Sequence, residues 1–282
     1  MKRVTLFADA TCDLPGELVE KYDVRLVPGT VILDGKDYID NVTITPDEMY
    51  RIYREKKILP KSAATNTDTY LNMFAPELDA GNEVIVVNMS SGISASHQAA
   101  AAAADMRNGI YAIDSKSLST GVGQLVIEAG ELIKQGLPAK EVAESVNRLV
   151  PKVKTSFVLD TLEFMRAGGR CSAVAAIGAN LLGLKPCIEM DSNGVLQATK
   201  KYRGSLEKVL PLYVNDQLTS GKNVRTDKIF ITYSSGIPDI LDIVIASIKK
   251  FAEFDNIYWS QASCVISTHC GPGTFGILFM TE

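Results

Sequence analysis

VIVVNMSSGISASHQAAAAAADMRNGIYAIDSKSLST, residues 84–120, carries the alternation that decides the fold. Val84 to Val87 is a short apolar run of the kind buried on both faces of a sheet. Ser90 to Ser94 reads as a loop, and the alanine-rich stretch from Ala95 to Met106 reads as a helix. A second strand follows at Ile110–Ile113, then a loop at Asp114–Thr120 and another helix from Leu125 to Lys134. Strand, helix, strand, helix implies a mostly parallel sheet.

The same pattern extends outward on both sides. Val4 to Ala8 is an apolar run closed by Asp9, and Leu18, Val19 and Tyr22 then recur at helical spacing. From Val24 to Val42 the alternation, broken at Pro28-Gly29 and Asp34-Gly35, predicts short antiparallel strands in an elaborated hairpin. Thr45-Pro46-Asp47-Glu48 opens a helix, with a hydroxyl cap, proline at the first helical position and Glu three residues on. Residues 60–69, PKSAATNTDT, read as a hydroxyl-rich loop feeding a helix that carries Tyr70, Leu71 and Phe74. Pro138 to Val150 is one more amphipathic helix, and Pro151 with Lys152 and Lys154 marks a linker. Beyond it the sequence predicts a strand at Phe157–Leu159, a helix ended by Gly168-Gly169, and a small-residue helix over Val174–Leu182. A turn at Asp191–Gly194, helices at Ser205–Leu218 and Ile240–Ala252, a strand at Ile229–Tyr233 and two closing strands complete the chain. The expectation is an α/β protein of two domains. Residues 1–150 would form an N-terminal α/β domain with a mostly parallel sheet and flanking helices, and residues 151–282 a C-terminal α+β domain.

Composition narrows the class. At 282 residues with 46% apolar and 22% charged residues, the chain can bury a sizeable core and is not of disordered type. A net charge of -4 with scattered Lys and Arg offers no basic stripe for nucleic acid. No apolar run reaches membrane-span length, and the N-terminal run is too short for a signal segment. The five cysteines, odd in number and without C-x-x-C spacing, read as reduced thiols, so the cytoplasm is the expected compartment.

Loops of small hydroxyl residues follow several strands, at Asp9-Ala10-Thr11, Ser90–Ser94, Asp114-Ser115 and Ser234-Ser235-Gly236. In open α/β sheets ligands lie beyond the carboxyl ends of the strands, where helix N-termini offer amides to an anion. For any single loop, helix capping is the plainer account. SSGIS is different, since one cap needs one hydroxyl and this loop offers three. His269-Cys270-Gly271-Pro272-Gly273 reads as a tight turn between strands, carrying one of only two histidines. Gly271, Gly273 and Gly276 match a dinucleotide fingerprint only formally, because proline intervenes and a strand follows where a helix is needed. A Cys264, His269, Cys270 metal site lacks a fourth ligand. His97 reads as a packed or solvent-facing residue. Arg170 follows a glycine helix stop, and Arg203 lies in a small basic cluster with Lys200 and Lys201. No phosphate loop, nucleophile elbow or metalloprotease motif is present, and no cofactor is implied.

Taken in order, DATCDLP (9–15), PKSAATN (60–66), SSGISAS (90–96), Asp114-Ser115, EFMRAGGR (163–170), KKYRG (200–204) and HCGPGTFG (269–276) resemble the DegV family over nearly the whole chain. The resemblance implies a two-domain bacterial α/β protein that binds a long-chain fatty acid without transforming it. It further implies presentation of that acid to a fatty-acid kinase, on the way to phospholipid synthesis. By position, Ser62 and Ser94 match hydroxyls that hold the carboxyl group, and His269 matches a histidine near the same head group. Arg170 and Arg203 match arginines suited to kinase docking or phosphate contact. The sequence departs from the family pattern at Ala10, at Ala63–Asn66 and at Ala95-Ser96, while keeping the hydroxyls at 62 and 94. Two other readings stand beside this one: a phosphotransferase or hydrolase with His269 as base and Ser94 as nucleophile, and a regulatory module that senses a small acid.

Overall fold

The computed structural model describes residues 2–172, 183–219, 223–237 and 239–282. The small-residue helix expected over 174–182 lies outside them. From Val4 the chain runs β1 (Val4–Asp9), α1 (Gly16–Lys21), β2 (Arg25–Val27), β3 (Thr30–Leu33), β4 (Lys36–Ile39), α2 (Pro46–Lys56) and β5 (Lys61–Ala63). It continues through α3 (Thr67–Asp79), β6 (Glu83–Asn88), α4 (Ser96–Met106), β7 (Ile110–Asp114), α5 (Thr120–Lys134) and α6 (Ala139–Leu149). Then come β8 (Val153–Val158), α7 (Glu163–Gly168), β9 (Leu184–Met190), β10 (Leu196–Arg203), α8 (Leu206–Thr219), β11 (Val224–Tyr233), α9 (Leu241–Phe251), β12 (Ile257–Gln261), α10 (Cys264–Cys270) and β13 (Phe275–Thr281).

Three sheets result. The first is wholly parallel, in the order β2-β1-β6-β7. The second, β10-β9-β8-β13-β11-β12, is antiparallel except where β11 meets β12. The third is a small antiparallel sheet, β4-β3-β5. The architecture is the mixed α/β arrangement that the sequence implies, a helix-flanked parallel sheet followed by an α+β region.

Two local expectations need correction. The stretch 24–42 is not one antiparallel hairpin, because β2 pairs in parallel with β1 and only β3 and β4 form the hairpin. The loop at 60–69 contains β5, which docks on β3 through Val31 opposite Ser62. A three-residue strand has no periodicity to read, and its partner lies thirty residues upstream.

The caps hold as read. Thr45 accepts a hydrogen bond from the Glu48 amide at the start of α2, and Gly169 ends α7 in the left-handed region at φ 67°. Helix α5 is buried along most of its length and packs against both large sheets; its core cluster includes Ile85 and Val87 of the first and Phe230, Leu278 and Met280 of the second. Arg225 and Lys228 on β11 add ion pairs to Glu128 on α5 at 3.0 and 2.7 Å. All five cysteines are buried and none forms a disulfide. No helix among the described residues is long and apolar enough to cross a membrane.

Candidate functional site

Because β1, β6 and β7 are adjacent and parallel, their carboxyl ends bring three loops together. The Met89 amide donates to Asp9 at 2.9 Å, the Ser91 amide to Asp114 at 3.1 Å, and the Ser90 amide to the Ser117 carbonyl at 2.8 Å. The loops are thereby fixed to one another. The SSGIS loop uses its own polar groups more fully than the sequence suggests. Ser90 donates to the Gly194 carbonyl and accepts from the Gly92 amide, while Ser91 accepts from Lys116. The Ile93 and Ser94 amides turn back onto the Ser90 carbonyl. Ser94 lines the adjoining cavity, and its hydroxyl lies 3.0 Å from that of Ser96 and accepts from the Ser96 amide at 3.2 Å. An anion here would meet side-chain hydroxyls, since the amides are already engaged.

The cavity measures about 420 Å³, within the roughly 300–1,000 Å³ range of small-ligand sites. Its rim carries Ser62, Ser94, His269 and the exposed Arg170. Its lining is mostly apolar, with Phe157, Leu196 and Leu278 almost fully buried, and includes the buried polar residues Asp9, Ser119 and Ser234. Met89, Leu118 and Val265 continue that surface. The lining is drawn from all three sheets and from α10, which explains why no single stretch of sequence announces it.

Ser62 and His269, 207 residues apart, meet with Oγ and Nε2 at 2.7 Å. The third sheet holds Ser62 through β5, and α10 holds His269 in its last turn. The sequence reading placed His269 in a tight turn between strands; it belongs to a helix instead. Two distant carboxylates start that helix. Asp40 accepts from the Cys264 and Val265 amides at 2.7 and 3.2 Å, and Asp13 from the Ser263 amide at 3.0 Å. Cys264 and Cys270 lie at opposite ends of α10, so they and His269 do not converge on one ligand position. Nδ1 of His269 has no hydrogen-bond partner among the described residues and faces Gly168, where an added Cβ would lie 2.3 Å from it.

Burial, aided by the Arg170 charge, pushes the His269 imidazole down to about 4, so it is neutral at physiological pH. Burial pushes Cys270 up to about 12, which keeps that thiol protonated and inert. Asp9 is raised by burial against the opposing pull of Tyr70, Met89 and Asn88. Its carboxylate accepts from the Tyr70 hydroxyl at 2.6 Å and from Asn88 at 3.0 Å. Nothing in the sequence pairs Asp9 with Tyr70; the only sign is an acid closing an apolar strand.

Ser62, Ser94, His269 and Arg170 thus surround one cavity. Arg203 does not: it sits at the end of β10 opposite Leu184, exposed and outside the lining. Nor is His97 part of the rim; it is half-buried in the first turn of α4, where burial lowers its pKa.

A family model described as DegV, a family of uncharacterised proteins, matches residues 3–282. The chain belongs to the DegV family. A DegV domain-containing protein of Caldanaerobacter subterraneus is 28% identical over 281 residues, covering 99% of both chains. Among solved structures, this DegV chain is similar to a Thermus thermophilus DegV family protein described for its fatty acid binding. That match has a TM-score of 0.87 at 27% identity and covers 99% of this chain and 100% of the other. It is also similar to DegV of Bacillus subtilis, described as a fatty acid binding protein, with a TM-score of 0.83, 25% identity and full coverage of both.

Proposed function

We propose that the protein is a non-catalytic carrier of a long-chain fatty acid. Ser62 and Ser94 hold the carboxyl group beside His269, and the tail lies in the apolar interior. The observation that carries this reading is the cavity itself, with hydroxyls and a neutral histidine at the rim and apolar walls within. The fatty acid binding described for the Thermus and Bacillus relatives supports it. Burying about fourteen methylenes at roughly 0.8 kcal/mol each contributes on the order of 11 kcal/mol as an upper bound. The head-group bonds mainly offset desolvation and fix which end points outward. We take residues 1–150 as the unit bearing Ser62 and Ser94, and residues 151–282 as the unit bearing Arg170 and His269. A head group at the rim stays within reach of a second protein, which suits presentation to a fatty-acid kinase with Arg170 at the contact. Arg203, lying away from the cavity, would serve only at such an outer contact.

Denaturing extraction of natively purified protein, followed by mass spectrometry, tests the reading. A long-chain acid near one equivalent is expected. Absence of any lipid, together with no binding of added fatty acid, would reject it. The double variant Ser62→Ala, Ser94→Ala should bind the acid at least tenfold more weakly while remaining folded, with a stability loss of about 1–3 kcal/mol because His269 loses its Ser62 partner; unchanged titration curves refute the head-group assignment.

The hydrolase reading fares less well on geometry. His269 bonds Ser62 rather than Ser94, and among the described residues its Nδ1 has no acceptor of the kind that orients an acting base.

A further inference from the structure

Helix α10 brings His269 to the rim, yet with seven residues it is too short to hold its place unaided. Its own cap adds little, since Ser263 accepts from the Ile266 amide only at 3.5 Å. The third sheet supplies what the helix lacks. Asp40, one residue past β4, accepts from the Cys264 and Val265 amides at 2.7 and 3.2 Å, one on each carboxyl oxygen. The Asp40 amide donates in turn to the Gly29 carbonyl at 3.0 Å, just before β3. At the other end of α10, His269 meets Ser62 of β5. Strand β3 lies between these two attachments, pairing Thr30 with Ile39 on one side and Val31 with Ser62 on the other.

The helix thus lies over the sheet with one end held at the β4 side and the other at β5, touching β3 and β5 on the way. A helix advances about 1.5 Å per residue, so the steps from Cys264 to His269 cover about 7.5 Å, comparable with the roughly 9.5 Å of two strand spacings. Fixing the amino end therefore fixes where the imidazole falls. Between the ends, Tyr50 of α2 donates to the Ser267 carbonyl at 2.9 Å, and a Cβ on Gly29 would stand 2.9 Å from Val265 Cγ2. Asp13 has a different role. It accepts from the Ser263 amide and from Ser119, which ties the residue before the helix to α5 and not to the sheet that carries Ser62.

We propose that Asp40 is a positioning residue of the head-group site: by holding the start of α10 on the third sheet, it sets His269 against Ser62 before any acid is bound. The inference rests on the fatty-acid reading above. Asp40 is almost fully buried and does not line the cavity, so it acts through the helix and not on the ligand.

The test is a double-mutant cycle on the intact chain, with palmitic acid as the probe. Asp40→Asn keeps the shape but offers one accepting oxygen where the helix uses two, and should raise the dissociation constant about tenfold. In a Ser62→Ala background the same change should raise it less than about twofold, because His269 then has no hydroxyl to hold. In ligand-free Asp40→Asn, the His269 midpoint followed by NMR should climb from about 4 toward the ordinary 6.5 as the ring leaves its place. Cys264→Pro approaches the contact from the helix side and removes the amide that Asp40 accepts. Proline suits this first helical position, and Ser263 before it is already extended, at φ -58° and ψ 166°. This variant should reproduce the pattern, and it decides the matter if Asp40→Asn does not fold. Equal losses in both backgrounds would mean that Asp40 acts through the apolar wall, to which Val265 and Ile266 of α10 contribute, and would overturn the proposal. A His269 midpoint that stays near 4 would overturn it as well. If the wild-type chain binds no palmitic acid, the fatty-acid reading falls, and the NMR titration still decides whether Asp40 places the ring.

Discussion

His269 is one of two histidines in the chain, which makes its protonation directly observable. Its pKa of about 4 lies below the ordinary 6.5, chiefly because burial penalises the imidazolium. The folded state therefore holds fewer protons than the unfolded chain between about pH 4 and 6.5. The stability that His269 contributes is present above that window and is lost as pH falls through it. In an NMR titration, with His97→Gln used for assignment, the His269 imidazole should remain neutral at about pH 5.5. A midpoint near the ordinary value would contradict the burial of the ring. Gly168 completes this environment, since any larger residue there would strike the ring.

At the scale of elements, the β9–β10 turn closes onto the SSGIS loop. A Cβ on Gly92 would stand 2.5 Å from the Gly194 carbonyl oxygen, and Ser90 donates to that same oxygen at 2.7 Å. Gly92→Ala should cost about 1–3 kcal/mol in chemical denaturation, because neither backbone can yield without parting the turn from the loop. It should also weaken ligand binding, since Leu196 of the same hairpin lines the cavity. Wild-type stability in this variant would disprove the contact. The elements that local pattern specifies were legible in the sequence: the parallel strands from their apolar runs, α2 from Thr45 and Glu48, the end of α7 from Gly169. Those that depend on distant partners were not. Helix α10 is seven residues long and is started by Asp40 and Asp13, more than two hundred residues earlier. With no periodicity of its own, CVISTHC gave no helical signal. Ser62 and Ser94 were legible as hydroxyls in loops; the bonds from Tyr70 and Asn88 to Asp9 were not, because they join β1 to α3 and β6 in space alone.

For the whole molecule, Asp13 is the tie to watch. It accepts from Ser119 at the start of α5 and from the Ser263 amide before α10, and burial pushes its carboxyl up to about 7. Here the folded state retains a proton that the unfolded chain has lost, so this contribution is full below about pH 4 and disappears as pH rises through 7. At about 1.4 kcal/mol per unit, Asp13 alone accounts for at most about 4 kcal/mol, opposite in sign to His269 over the shared window. Asp13→Asn should flatten that dependence in denaturation measured at about pH 4.5 and pH 7, and asparagine tolerates the left-handed backbone at this position, φ 50°. An unchanged slope would remove Asp13 from the account. The pairing of Ser62 with His269 has a further consequence for synthesis. Contacts of such sequence separation form late, after the loop entropy between them has been overcome. A fragment that stops before α10 would keep Ser62 yet lack the histidine that pairs with it, so the proposed head-group site should be incomplete in any such truncated product.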